Sequence, residues 1–215
     1  MTQEVDARLI ELLCARLCHD LVGPVSAIGN GMELVTEFGE EMRGEALALI
    51  AQSASEAARR LQFFRVAFGS AAGADGRSIP IAEARARAIA LPLGGKVRLE
   101  WPEVAAGGEP EFSRAAVKLL LNLILVAVDA VSGSGTVRVQ LSPPGGSDLF
   151  AIVVEGPRAN LGDDMTRSLA GSMEAANSPR TAVALLAHVL AEEAGAVLGT
   201  AEEPGRVSFT VRRAA

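Results

Sequence analysis

Residues 15 to 35 read ARLCHDLVGPVSAIGNGMELV, and this stretch decides how the rest of the chain is understood. Leu17, Leu21, Pro24, Ile28, Met32 and Val35 fall along one stripe of a helix, continuing Ile10 and Leu13 before them. At about 100° per residue His19 points roughly 200° away from Leu17, so it is expected to face water. Asp20 follows it directly. Pro24 has no N–H, the carbonyl of Asp20 therefore loses its helical partner, and the helix is expected to bend just past the histidine. An interior proline costs about 3 kcal/mol or more, which a purely structural helix has little reason to bear.

Working outward, residues 4 to 69 read as two long helices with a short turn near EFGEEMRG. On the second helix Leu47, Ile50, Ala54, Ala57, Leu61, Phe64 and Phe68 recur at alternating spacings of three and four, a heptad seam. One hairpin buries only part of two such stripes, so two chains are expected to pair their hairpins into a dimeric four-helix bundle. The stretch GSAAGADGRSIP has no periodicity and marks a linker. The expected divisions are a helical hairpin over 1–69, a linker over 70–80 and a second domain over 81–215.

In that second domain Ser78 and Pro80 suit the start of a helix in IAEARARAIAL, and KVRLEW reads as a strand. Ser113 caps an apolar helix running to about Val131. TVRVQL and LFAIVVE are strands, Ser178 and Pro179 open a helix that stops at Gly195, and AVLGTAEEPGRVSFTVRR is a hairpin turning at Pro204 and Gly205. The fold class is α+β: a helical hairpin followed by a two-layer α/β sandwich with a mostly antiparallel sheet.

Composition narrows the function. A net charge of −6 over 215 residues gives no global pull toward nucleic acid or an anionic membrane. The most apolar run, AVKLLLNLILVAVDAV, is interrupted by Lys118, Asn122 and Asp129 and falls short of the roughly 20 residues that span a bilayer, so it reads as a buried helix. The first residues, MTQEVDARLIELL, carry acids where a secretory signal carries bases, so a cytoplasmic protein is expected. Cys14 and Cys18 lack the pairing of a disulfide framework, and C-x-x-x-C-H lacks a fourth metal ligand, so reduced thiols and no metal site are expected. His188 reads as a half-buried structural histidine.

The chemistry therefore converges on His19. Asp20 can favour the tautomer with a nucleophilic ring nitrogen, and Gly23, one turn on, offers no side chain to block an approaching partner. If the hairpin turns near residue 40, antiparallel geometry brings Arg59 and Arg60 level with His19. Arg59 is expected to face solvent, and Arg16 lies one turn before His19 on its side of the helix.

The pattern H-D-L-x-x-P in a helical hairpin, followed by an α/β sandwich, resembles the dimerisation and phosphotransfer domain of sensor histidine kinases. More closely, ARLCHDLVGPVSAIGNGMELV is similar to the equivalent segment of the ChpT family of bacterial histidine phosphotransferases. The resemblance implies that His19 is the phosphorylated residue. It would take a phosphoryl group from the receiver aspartate of a hybrid kinase of CckA type and pass it to a CtrA-like regulator or a CpdR-like single receiver. Arg16, Gly23, Pro24, Arg59 and Arg60 would meet the receiver, which brings its own Mg²⁺. Kinases of this class often carry Thr or Asn where this chain has Gly23, so hydrolysis of the receiver should be poor and exchange favoured.

The same resemblance lets the second domain be compared with an ATPase. Asn122 keeps one position of the Asn-containing helix, but Val126 replaces the metal-binding Asn. Gly156 is kept, but Val154 and Arg158 replace an Asp and a Gly, and PRTAVALL stands where a glycine-rich loop would let backbone approach phosphates. A degenerate ATPase-like sandwich without ATP is expected. An active kinase and a non-catalytic receiver-binding adaptor remain the alternatives.

Overall fold

The computed structural model describes residues 7–38, 42–69, 78–103, 110–143 and 145–214. The first six residues, the tip of the hairpin at 39–41 and most of the expected linker (70–77) lie outside them.

The paired stripes fold into α1 (Ala7–Phe38) and α2 (Arg43–Ala67), and α1 continues through Pro24 as one helix. The two helices pack tightly at Gly31, where an added Cβ would lie 2.6 Å from Ile50 Cγ1 and 3.2 Å from the carbonyl oxygen of Ala46. Burial is not centred on the expected seam. Ala46, Ser53, Ala57 and Phe64 are buried on α2, whereas Leu47 and Leu61 are 50% and 53% exposed.

The second domain comprises α3 (Ile81–Ile89), β1 (Lys96–Glu100), α4 (Arg114–Val131), β2 (Ser134–Leu141), β3 (Asp148–Glu155), α5 (Asp163–Leu169), α6 (Pro179–Glu193), β4 (Ala196–Glu203) and β5 (Arg206–Arg213). The strands form one sheet in the order β1-β2-β3-β5-β4. Only the β1–β2 pair is parallel, and α4 makes its crossover. Val137, Val139, Phe150, Ile152, Val154, Val207, Phe209 and Val211 form the buried face of the sheet, joining the core that includes α4 and α6.

Local signals account for the element ends. Ser113 Oγ accepts from the Ala116 N–H at the start of α4, and Ser178 forms a reciprocal capping box with Thr181 at the start of α6. Gly195 ends the α6 region at φ +61° and Gly205 turns the last hairpin at φ +75°. α3 starts where Ser78 and Pro80 suggest, with Pro80 at its N-cap and no side-chain cap. Between Asn160 and Ser178, a span to which the sequence reading assigns no element, lies α5, a helix of seven residues too short to show a period.

The three polar interruptions of α4 share a stripe. Lys118, Asn122 and Asp129 are four and seven residues apart and so lie within about 40° on one helix face. That face meets the hairpin. Asn122 is fully buried, and its Nδ2 donates to the carbonyl oxygens of Lys118 and of Ala67, each at 2.8 Å. Ala67 ends α2, so one of the carbonyls that a helix terminus leaves over finds its partner in α4. Asn122→Ala should therefore lower stability by about 1–3 kcal/mol, read from the urea unfolding midpoint. An unchanged midpoint would mean that the Ala67 carbonyl is satisfied without Asn122.

Candidate functional site

His19 projects from the middle of α1 with its side chain 80% exposed, as the helical wheel requires. Its Nδ1 lies 3.0 Å from Asp20 Oδ1. An ionised carboxylate only accepts, so Nδ1–H donates, and in the neutral ring Nε2 then carries the lone pair. Gly23 leaves the next turn bare: beyond its chain neighbours and the backbone of its own helix, nothing lies within 4 Å of the place a Cβ would occupy. His19, Asp20, Gly23, Pro24, Ser53 and Arg60 are among the residues lining an open groove of about 360 Å³ between α1 and α2.

The structure brings Arg60 level with His19, as antiparallel pairing predicts. Arg60 donates through Nε and Nη2 to Glu56 Oε1 at 3.0 and 2.8 Å, which holds the guanidinium at the groove. Arg59 does not line the groove; it donates to Ser55 Oγ at 2.7 Å along its own helix.

Arg16 departs from expectation. Instead of standing free beside His19, it is 7% exposed and held on both sides. Its Nε donates to Asp20 Oδ2 at 2.8 Å, and Nη1 and Nη2 reach Asp129 Oδ2 and Oδ1 on α4 at 2.6 and 3.4 Å. The reason is positional. Arg16 and Asp20 lie one turn apart on the side of α1 that the second domain covers, and a wheel drawn on the hairpin alone cannot show that cover.

Burial by itself would raise the Asp20 pKa. The hydrogen bond from His19 and the positive charges of Arg16 and Arg60 outweigh it, holding the carboxyl below its ordinary value. Arg16 shows the mirror effect: burial would lower its pKa, but Asp129 and Asp20 raise it.

Between the hairpin and the second domain lies a further cleft of about 420 Å³, where Arg16, Asp20 and Arg60 face Leu93, Val128 and Arg180. His188, by contrast, is structural: its Nδ1 donates to the Leu169 carbonyl at 3.2 Å, and its ring lies over Gly171. Among the described residues no cluster of His, Cys, Asp and Glu could hold a metal, and Cys14 and Cys18 are free and exposed.

A depressed carboxyl pKa fixes the sign of a pH effect. Asp20 contributes stability that is fully present above its unfolded pKa of about 4 and is lost as pH falls through the lower folded value. The gap between wild type and Asp20→Asn, measured by urea titration, should be constant above about pH 5 and close in acid. A gap that persists at pH 2 would show that the carboxylate charge is not what Asp20 supplies.

Comparison with known proteins gives the family. Residues 81–205 match the family described as the histidine phosphotransferase C-terminal domain. The protein phosphotransferase ChpT of Brucella abortus (strain 2308) is 39% identical over 145 residues, which are 67% of this chain and 66% of that protein. The match thus spans just under two thirds of that relative's length. A solved structure of a bacterial phosphotransferase is 32% identical, with a TM-score of 0.77 and 98% of each chain covered. The histidine kinase domain of a blue-light-activated kinase from Erythrobacter litoralis EL346 is 18% identical with a TM-score of 0.46, covering 95% of this chain and 92% of that one. The chain belongs to the ChpT-type family of histidine phosphotransferases.

Proposed function

We propose that the chain relays phosphoryl groups between two receiver domains through His19. The observation that carries this reading is the contact of Nδ1 with Asp20 Oδ1 on an exposed ring beside a bare Gly23, which in the neutral ring leaves Nε2 as the nucleophile. The Nε2 lone pair attacks phosphorus of the donor's phosphoaspartate in line, the P–N bond forms, and the P–O bond breaks to release the aspartate carboxylate. The ring, still protonated at Nδ1, becomes cationic, and Asp20 offsets that charge. The reverse step on a second receiver returns the neutral ring. Mg²⁺ and the acidic pocket come with each receiver, so this chain needs only to dock and to orient. A hybrid kinase upstream and a response regulator downstream are the corresponding partners, with the cytoplasm as the setting.

The second domain supports relay rather than ATP-dependent phosphorylation. Val126 and Val154, at the positions of a metal-binding Asn and an adenine-reading Asp, have no solvent exposure. Asn122 is fully buried, one amide hydrogen tied to Ala67 of the hairpin and the other to Lys118 of its own helix.

The apolar surface that one chain leaves bare supports a homodimer. Ile10, Val22, Val25 and Met32 of α1 are 50–59% exposed, as are Leu47 and Leu61 of α2. Among the described helices α1 alone is long and apolar enough to cross a membrane by length and composition, with a mean hydropathy of 1.2. A separate stripe of the same helix carries His19, Ser26 and Asn30, and Arg16 is bound to α4. Such an amphipathic helix suits a second hairpin better than lipid.

The decisive assay offers the purified protein either radiolabelled ATP or a pre-phosphorylated receiver, with His19→Ala in parallel. Label should arrive from the receiver alone and only when His19 is present. Label from ATP would identify a kinase, and none from either source would leave an adaptor. In sedimentation, wild type should run as a dimer and Val25→Glu with Leu61→Glu as a monomer; an unchanged mass would place the dimer contact elsewhere.

A further inference from the structure

We infer that Arg16 and Asp129 are positioning residues for His19, so that the second domain sets the tautomer of the imidazole on the hairpin. This rests on the relay reading above and concerns what makes its nucleophile competent.

The starting point is a geometric difficulty. Consecutive residues on a helix diverge by about 100° and do not face one another. His19 and Asp20 are consecutive, yet His19 Nδ1 lies 3.0 Å from Asp20 Oδ1. Asp20 must be held in one orientation for that contact to persist, and Arg16, one turn earlier, holds it. The Arg16 Nε bond to Asp20 Oδ2 leaves Oδ1 as the oxygen that meets the imidazole.

Arg16 needs an anchor in turn. A long side chain pairing across one turn of an exposed helix gains little and samples several rotamers. Here the guanidinium is 9% exposed and its other edge is clamped by Asp129, itself 10% exposed. The planar fork fixes the two carboxylates relative to each other, which a point charge cannot do. Arg180, near the start of α6, stands 3.7 Å from Asp129 Oδ1 and adds an outer charge.

The chain of contacts therefore runs from α6 and α4 through one arginine to the reactive ring. Its inner members are shielded and its last member is exposed: Asp20 is 13% exposed and His19 is 80%. Such a backing sets which ring nitrogen carries the proton. Without it, an exposed imidazole returns to its solution preference for the proton on Nε2, the nitrogen that has to attack.

The test uses the full-length chain and needs no phosphoryl donor for its first half. The ¹⁵N signals of the His19 ring, recorded where it is neutral, report the tautomer in wild type, Asp129→Asn and Arg16→Lys. Asp129→Asn keeps the shape and removes the anchoring charge; Arg16→Lys keeps the charge and removes the fork. Wild type should show the proton on Nδ1, and both variants should move toward Nε2–H. Phosphoryl uptake from a labelled receiver should slow by about tenfold, the scale on which residues that orient a functional histidine from behind act. A folded variant with wild-type tautomer and wild-type uptake overturns the inference, and so does loss of folding in both variants, since the pair would then serve the fold alone. If wild type takes no label through His19, the relay reading fails instead, while the ring spectra still answer whether α4 sets the tautomer.

Discussion

Arg16 lies under two carboxylates that belong to different parts of the fold, Asp20 on its own helix and Asp129 on α4. A charge so deeply placed is tolerable only while both partners remain, because removing one partner of a buried pair costs about 3–5 kcal/mol. The bridge fixes where α1 can sit against the second domain. With α1 so placed, Leu13 and Leu17 pack against the second domain's core, and the opposite side of the helix, with His19, is left facing outward. Asn122 makes the corresponding contact for α2. Two polar side chains on one stripe of an otherwise apolar helix thus hold both arms of the hairpin, and the direction in which His19 points follows from them.

Much of this was legible in the sequence. Capping residues such as Ser113 and Ser178, the helical periods and the strand alternation are local signals, and each reports on its own element. The exposure of His19 was legible for the same reason, since it stands on the side of the helix away from Leu17. Arg16 was not. Its partner lies 113 residues away, and nothing local separates an arginine that will be covered from one that will be solvated. Lys118, Asn122 and Asp129 carried a signal that could have been used: their common stripe on an apolar helix marks a face that meets something polar. α5 was missed because seven residues hold less than two full helical periods.

The hairpin divides its apolar surface between two tasks. One side of α1 closes on α2 and the second domain, with Gly31 removing the side chain that would hold Ile50 away. A second stripe, apart from that of His19, carries Ile10, Val25 and Met32 in the open. Sequence periodicity merges these two faces into a single broad stripe, which is why the expected seam and the observed burial differ by a rotation of the helix. The sheet has no such ambiguity. Its period of two puts alternate residues on opposite faces, and Phe150, Ile152 and Val154 of β3 stand beside Leu141, Val139 and Val137 of β2 and Val211, Phe209 and Val207 of β5.

The seam at α4 also bears on how the molecule comes into being. During synthesis α1 and α2 leave the ribosome well before Asn122 and Asp129, so the nascent hairpin has neither the amide that closes the end of α2 nor the carboxylate that shares Arg16. At that stage the helices can pair, but the guanidinium is half-matched and Asp20 has no fixed direction. The Arg16 bridge behind the histidine is thus completed late in folding, when the downstream domain closes on the hairpin that preceded it.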